Sequence, residues 1–156
     1  MNDDLFLIKT KFGICRVAKS LRHFDVPWEE YLKKRKEECD PLDNIGKVSG
    51  ISVRGWLCRW QRGKIRASLG QRAKHDSSPN MYEAWGGKVD PGEKILEALI
   101  REFFEETGLI LTCIYDQVGG NDVFDTPKSK RWIEQIHFLV EAEKSRKFLK
   151  SLRRGS

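Results

Sequence analysis

Three closely spaced glutamates are the strongest candidates for chemistry in this sequence. Glu102, Glu105 and Glu106 have the spacing that places their side chains within an arc of roughly 100° on one helix face. Like charges this close destabilise an isolated helix by about a few tenths of a kcal/mol per pair. Hard divalent cations such as Mg²⁺ prefer oxygen ligands and would remove the repulsion. The cluster therefore predicts a metal site, although a solvated helix face would show the same spacing.

A glycine-rich segment precedes the glutamates and predicts a loop. Gly86 and Gly87 allow close approach to the backbone, and residues 90–92 (Asp-Pro-Gly) form a predicted turn. A metal-bound phosphate beside such a loop is the expected substrate.

The glutamates need a helix to position them, and the pattern predicts one over residues 93–107. Glu93 begins it, where the positive end of the helix dipole favours a carboxylate. Gly108 stands where a left-handed C-terminal cap is expected. The predicted buried stripe has helical spacing and consists of Leu96, Leu99, Ile100 and Phe103.

The rest of the chain predicts strands and one further helix. A helix is expected with Asp25 as its N-cap and Pro27 in its first turn, running through Cys39. Strand patterns occupy residues 4–19, 51–60, 64–73, 109–118 and 132–143, of which the second and third form a predicted hairpin. Residues 41–50, 73–81 and 119–131 are predicted linker or loop. This order predicts a mixed α/β or α+β layered fold.

The spacing from Gly87 to Leu109 resembles the signature of the Nudix hydrolase family. Every specified position of that box is filled, by Gly87, Glu93, Arg101, Glu102, Phe103, Glu105, Glu106, Gly108 and Leu109. The resemblance implies an α+β Nudix fold, a mixed β-sheet sandwiched by helices. The expected division is an N-terminal extension over 1–46, a Nudix domain over 47–143 and a basic tail over 144–156.

The resemblance also implies roles for single residues. Glu102, Glu105 and Glu106 would bind Mg²⁺ or Mn²⁺ together with the Gly86 main-chain carbonyl, and Glu105 and Glu102 are the implied catalytic residues. Structural roles in the motif fall to Gly87, Glu93, Arg101 and Gly108, with Arg101 pairing Glu93. Lys88 and Trp85 are the expected substrate-binding residues, although a surface lysine and a core tryptophan would look the same.

The implied reaction is metal-dependent hydrolysis of a pyrophosphate bond in a nucleoside diphosphate linked to another moiety. Trp85 stands where many members have proline, and this form is similar to the MutT-like branch that sanitises oxidised nucleotides. Only 13 residues follow Glu143, and none of them is acidic. The resemblance therefore implies either a shortened C-terminus or a general base from earlier in the chain, with Asp122, Asp125, Glu134 and Glu141 as candidates. A catalytically weak module that binds nucleotide or RNA is the alternative function.

Histidines and tryptophans outside the box are weaker candidates. His23, His75 and His137 could act as bases but are more often structural. Trp56, Trp60 and Trp132 could stack on a nucleobase, or pack in the core. The sequence contains neither a Gly-x-Ser-x-Gly elbow nor a Walker A loop, which argues against a serine hydrolase and a P-loop enzyme.

Composition sets the remaining expectations. The hydrophobic content of 39% and the charged content of 33% are typical of a globular protein, and no apolar run is long enough to cross a membrane. The net charge of +6 resides in residues 144–156, which suggests RNA as a partner only weakly. Four dispersed cysteines (Cys15, Cys39, Cys58 and Cys113) predict reduced thiols and a cytoplasmic location. A homodimer is a further expectation.

Overall fold

The computed structural model describes residues 4–40, 43–61, 64–68, 70–71 and 82–144. Its helices are α1 (Trp28–Glu38) and α2 (Ile95–Thr107), with 3₁₀ turns at Lys19–Phe24 and Asn44–Lys47. Its strands are β1 (Leu5–Thr10), β2 (Gly13–Ala18), β3 (Val48–Gln61), β4 (Lys64–Ser68), β5 (Gly70–Gln71), β6 (Tyr82–Glu83), β7 (Trp85–Lys88), β8 (Leu109–Gln117), β9 (Asp122–Thr126) and β10 (Arg131–Lys144). In this part of the chain, neither helix is long and apolar enough to span a membrane.

Eight strands form one mixed sheet, which confirms the predicted α+β class. The order is β1-β2-β8-β10-β3-β4, with β7 paired to β3 and β9 paired to β10. The β10–β3 and β2–β8 pairs are parallel, and the others are antiparallel. The predicted hairpin is present as β3–β4, and β5 and β6 form a separate two-stranded sheet.

The core lies between the helices and one face of this sheet. The four predicted stripe residues of α2 are all buried (Leu96, Leu99, Ile100 and Phe103). Gly55 on β3 leaves room for the Phe103 ring because it has no side chain. A Cβ on Gly55 would lie 3.0 Å from that ring. The 3₁₀ turn before α1 packs Phe24 edge-on against Phe138 of β10, with ring centroids 5.1 Å apart. Helix α2 and the 3₁₀ turn before α1 therefore both pack against this sheet.

Several predicted boundaries are wrong because strand pairing, which the local sequence pattern does not show, decides them. The glycine-rich segment is not a loop but strand β7, since it pairs with β3. Likewise, residues 122–126 of the predicted loop 119–131 form β9 against β10. The predicted linker 41–50 contains a 3₁₀ turn and the start of β3. The tail after Lys144 and the loop 73–81 fall largely or wholly outside the described residues.

The helix starts also differ from expectation. Helix α2 begins at Ile95, so Glu93 lies before the helix and is not its first residue. The Glu93 side chain points toward the helix. Helix α1 begins at Trp28 with Pro27 as its N-cap, whereas Asp25 ends the preceding 3₁₀ turn. The left-handed cap at Gly108 is confirmed, with φ of +73° and its amide donating to the Phe104 carbonyl.

Candidate functional site

Arg101 ties the segment before α2 to the body of the helix. Its Nε and Nη2 donate to the two carboxylate oxygens of Glu93 at 2.8 and 2.9 Å, a two-pronged ion pair. Nη2 also reaches the Lys88 carbonyl at 3.2 Å, and the Asp90 amide donates to Glu93 at 3.0 Å. Burial alone would raise the pKa of Glu93, but the hydrogen bonds from Arg101 and the Asp90 amide outweigh burial and lower it.

The same guanidinium also contacts two of the predicted metal ligands. Arg101 Nη1 lies 2.8 Å from Glu102 Oε1 and 3.1 Å from Glu105 Oε2. The hydrogen bond to Glu93 is the main cause of the raised pKa of Arg101, and Glu102 adds to it. Arg101 is therefore a counter-charge for the glutamate face as well as a clamp, a role that the sequence analysis did not include.

The two glycines of β7 are needed because α2 and β3 approach them closely. A Cβ on Gly87 would lie 2.3 Å from Glu102 Oε2, and a Cβ on Gly86 would lie 1.9 Å from the Val53 carbonyl oxygen. The Gly86 amide instead points to Glu106 Oε2, at 3.4 Å. Glycine at position 87 thus leaves room for Glu102, and glycine at position 86 lets β7 lie close to the backbone of β3.

The main-chain carbonyl of Gly86 takes no part in the hydrogen bonds between β7 and β3. The Val89 amide donates to the Ile51 carbonyl at 3.0 Å, which marks those two as a hydrogen-bonded pair. The alternation of an antiparallel ladder then makes Arg54 and Gly86 a pair that exchanges no main-chain hydrogen bonds. The carbonyl oxygen of Gly86 is therefore not used in main-chain hydrogen bonds to β3. The amide of the same residue points to Glu106.

These groups suit a hard divalent cation in their donor chemistry. Three carboxylates and a carbonyl are all oxygen ligands, the type that Mg²⁺ and Mn²⁺ prefer. Within the described residues, no three acidic, histidine or cysteine side chains are grouped closely enough to hold a metal as they stand. Glu102 and Glu105 instead share the Nη1 atom of Arg101 as their cationic partner.

Comparison with known proteins decides the family. The NUDIX domain model matches residues 51–151, about two thirds of the chain. The chain belongs to the NUDIX family. No curated protein matches it.

Three solved structures are among those similar to this NUDIX chain. The solution structure of the E. coli ORF135 protein is 27% identical, covers 69% of this chain and 74% of that one, and has a TM-score of 0.46. The MutT protein from Methanosarcina mazei Go1 is 25% identical, with 64% and 72% covered and a TM-score of 0.43. A MutT NUDIX hydrolase from Burkholderia pseudomallei is 18% identical, with 62% and 70% covered and a TM-score of 0.45.

The expected substrate-binding side chains of this NUDIX domain lie in different surroundings. Trp85 is half-buried and packs edge-on against Phe103, with ring centroids 6.0 Å apart. Lys88 has an exposed side chain, and only its carbonyl is bonded to Arg101. Trp85 is thus partly a core residue, and Lys88 is free to reach a ligand from solvent.

The four candidate bases lie apart from the glutamate face. Within the described residues, no hydrogen bond or ion pair joins any of them to the α2 glutamates. Asp125 is exposed on β9, and Glu141 accepts a hydrogen bond from Tyr115 that raises the pKa of that phenol. Glu134 is fully buried, where it accepts a hydrogen bond from Tyr31 and pairs with Arg35.

Asp122 is engaged with His137. His137 Nδ1 accepts from Trp56 Nε1 at 3.0 Å, so the neutral ring carries its proton on Nε2 and donates to Asp122 Oδ2 at 3.1 Å. Both nitrogens are occupied, which leaves no lone pair for accepting a proton from water. Of the other ring candidates, His23 stacks on Phe24 and Trp132 lies under the Lys47 ammonium, while His75 and the Trp60 side chain fall outside the described residues.

Residues ahead of the NUDIX match support the site and were missed. The Trp28 amide donates to the Glu93 carbonyl at 3.1 Å, and the Ile95 amide donates to the Val26 carbonyl at 3.1 Å. The Glu29 carboxylate accepts from the Gly92 amide at 2.8 Å. The start of α1 therefore braces the segment that carries Glu93. No local pattern could have revealed this, because the contacts join residues more than 60 positions apart.

Proposed function

We propose that the protein is a metal-dependent pyrophosphohydrolase that acts on a nucleoside diphosphate linked to another moiety. The observation that carries this is the close seating of Glu102 and Glu106 on the two glycines of β7. Family membership supports hydrolase chemistry in general. Nucleotide-pool sanitising and a cytoplasmic location are part of the same proposal.

Each residue of the site has a role in this proposal. Glu102, Glu105, Glu106 and the Gly86 carbonyl would hold Mg²⁺ or Mn²⁺, which supplies Lewis-acid stabilisation of pyrophosphate charge when bound. The ion pair between Arg101 and Glu93 holds the segment after β7 against α2. Glu105, the most exposed of the glutamates in contact with Arg101, is the residue best placed to meet an attacking water. Lys88 offers a positive charge to a phosphate from solvent.

A substrate panel tests the proposal. The full chain is incubated with Mg²⁺ or Mn²⁺ and oxidised or ordinary nucleoside triphosphates, ADP-ribose, dinucleoside polyphosphates or capped RNA, and the products are identified. We expect hydrolysis of at least one member, lost by roughly 10²-fold or more in Glu106→Gln. Glu97→Gln, a neutralisation on the same helix outside the cluster, should keep the parent rate. Nucleotide binding without turnover on every member would favour the binding module instead.

A further inference from the structure

Strand β1 forms one edge of the main sheet and leaves one of its sides open. The sheet order begins with β1, and its only partner strand in the part of the chain that the structure describes is β2. The strand is six residues long. An open edge of this kind presents main-chain N–H and C=O groups on which a further strand can pair.

The ladder between β1 and β2 shows which main-chain groups point to the open side. The Lys19 amide donates to the Asp4 carbonyl at 2.8 Å, so the residue just before the strand belongs to a hydrogen-bonded pair. Because bonded and non-bonded pairs alternate in an antiparallel ladder, Leu5, Leu7 and Lys9 exchange no main-chain hydrogen bonds with β2. Their N–H and C=O groups therefore point away from β2, with Leu7 in the middle.

The side chains at this edge leave apolar surface exposed. Leu7 is 60% exposed, and Ile14 on β2 is 53% exposed. Ile14 lies opposite Lys9, and Lys9 shares a face of β1 with Leu7, so the two apolar side chains lie on one face of the sheet. Phe6 and Ile8 point to the other face and are buried. The edge thus combines unpaired main-chain groups with exposed apolar side chains.

The two ends of β1 have opposite charges. Asp4 lies just before the strand, whereas Lys9 and Lys11 lie at its other end, and all three side chains are exposed. If β1 paired antiparallel with the β1 of a second copy, the acidic end of each strand would lie beside the basic end of the other. A parallel pair would instead bring like charges together. Charge complementarity therefore favours a second copy in the antiparallel orientation.

We propose that two copies of this chain pair antiparallel along β1 and continue the sheet across a twofold axis at Leu7. In this register, Leu7 lies opposite Leu7 of the second copy, and Leu5 lies opposite its Lys9. All of these residues point their main-chain groups outward, so each pair exchanges both main-chain hydrogen bonds. The same surface is used by both copies, which closes the assembly as a dimer.

The proposed interface is distant from the candidate metal site. Strands β2, β8 and β10 lie between β1 and β3 in the sheet, and β3 is the strand that pairs with β7. Dimerisation would therefore leave the glutamate face of α2 open in both copies. The inference does not depend on the hydrolase proposal, and either one can fail without the other.

Sedimentation equilibrium of the full chain tests the inference. Over about 5–500 µM protein we expect a monomer–dimer equilibrium with a Kd of about 10–100 µM, because an interface of one strand pair is small. Leu7→Lys should weaken dimerisation by at least about tenfold, since two like charges would meet at the axis. Phe124→Lys, at an exposed aromatic residue on β9, is the matched control and should dimerise as the parent does. A monomer at all concentrations, assembly beyond a dimer, or equal Kd values in both variants would overturn the inference.

Cysteine cross-linking tests the register itself. Directly opposite residues of a hydrogen-bonded pair have Cα atoms about 5.5 Å apart, a separation that a disulfide spans, so Leu7→Cys should form a covalent dimer under mild oxidation. Ile14→Cys is similarly exposed but lies one strand farther from the axis in each copy, at least about 14 Å from its counterpart, and should stay uncrosslinked. The parent chain controls for its own four cysteines. Equal cross-linking of the two variants, or none in Leu7→Cys, would contradict the proposed register.

Discussion

In the part of the chain that the structure describes, two arginine–glutamate clusters hold the helices, and they differ in charge balance. Around Arg101, the carboxylates of Glu93, Glu102 and Glu105 lie within 3.1 Å of one guanidinium, with Glu106 beside them on the Gly86 amide. Arg35 pairs with a single glutamate, Glu134, whose side chain is fully buried. The first cluster has more negative charge than its cation can neutralise, and Glu105 is exposed to water.

The difference separates a binding site from a structural contact. A buried ion pair with equal charges is fixed, because removing either partner leaves a charge without compensation. A surplus of carboxylates attracts a metal cation, which would offset the repulsion among them. The α2 cluster is therefore the one that we propose as the metal site, and the α1 cluster anchors the N-terminal segment to the sheet.

The largest effect is expected from closing the gap between β7 and α2. In Gly87→Ala the new methyl group would lie 2.3 Å from Glu102 Oε2 and would push that carboxylate away. Displacement of a site group by about 1 Å costs roughly 10²-fold in rate, so hydrolysis should fall by about that factor. Gly46→Ala is the matched control, since nothing lies within 4 Å of its Cβ. Equal rates in both variants would show that Glu102 does not act from this position.

The second effect concerns stability at the buried cluster. Arg35→Met keeps the packing of the stem but leaves Glu134 without its cation. Because Arg35 is about one third exposed, we expect a loss of roughly 1–3 kcal/mol of unfolding free energy. Adding Glu134→Gln should restore part of it, and Lys36→Met should change little. A fully stable Arg35→Met would mean that the pair does not anchor α1.

The pH dependence of stability should separate the two clusters. The pKa of Glu93 is lowered in the folded chain, so its contribution is present above its unfolded value near 4.5 and is lost as pH falls. The pKa of Tyr31 is raised, mainly by burial and then by Glu134, so its contribution is present below pH 10.0 and is lost as pH rises. Denaturant unfolding across pH should show a flatter acid limb in Glu93→Gln and a flatter alkaline limb in Tyr31→Phe. Unchanged limbs would contradict these assignments.

The smallest effect belongs to the brace between α1 and the site. Glu29→Gln weakens the bond to the Gly92 amide but keeps the shape of the side chain. We expect a decrease of a few-fold in kcat with an unchanged KM, because Glu29 acts through the segment that carries Glu93 and touches no substrate. Glu30→Gln, at the neighbouring position, tests whether charge alone is responsible; an equal loss there would argue against the brace.

Local patterns predicted the parts of the site that depend on local geometry. Helical periodicity gave the buried stripe of α2, and the need for a left-handed residue gave Gly108. The resemblance placed Arg101 beside Glu93, which the structure bears out. In contrast, the contacts of Arg101 with Glu102 and Glu105 depend on side-chain rotamers, and strand β7 exists because β3 offers an edge to pair with. The contacts from α1 join segments that are distant in sequence, so no local sequence pattern could predict them.

Direct cation binding tests the central claim that the α2 cluster is a metal site. Mn²⁺ is titrated into the full chain by calorimetry, without nucleotide, and compared with the double variant Glu102→Gln/Glu106→Gln and with the control Glu97→Gln. We predict that the parent and the control bind Mn²⁺ alike, whereas the double variant binds at least about tenfold more weakly, because two carboxylate ligands have lost their charge. Equal affinity in all three chains would contradict the claim.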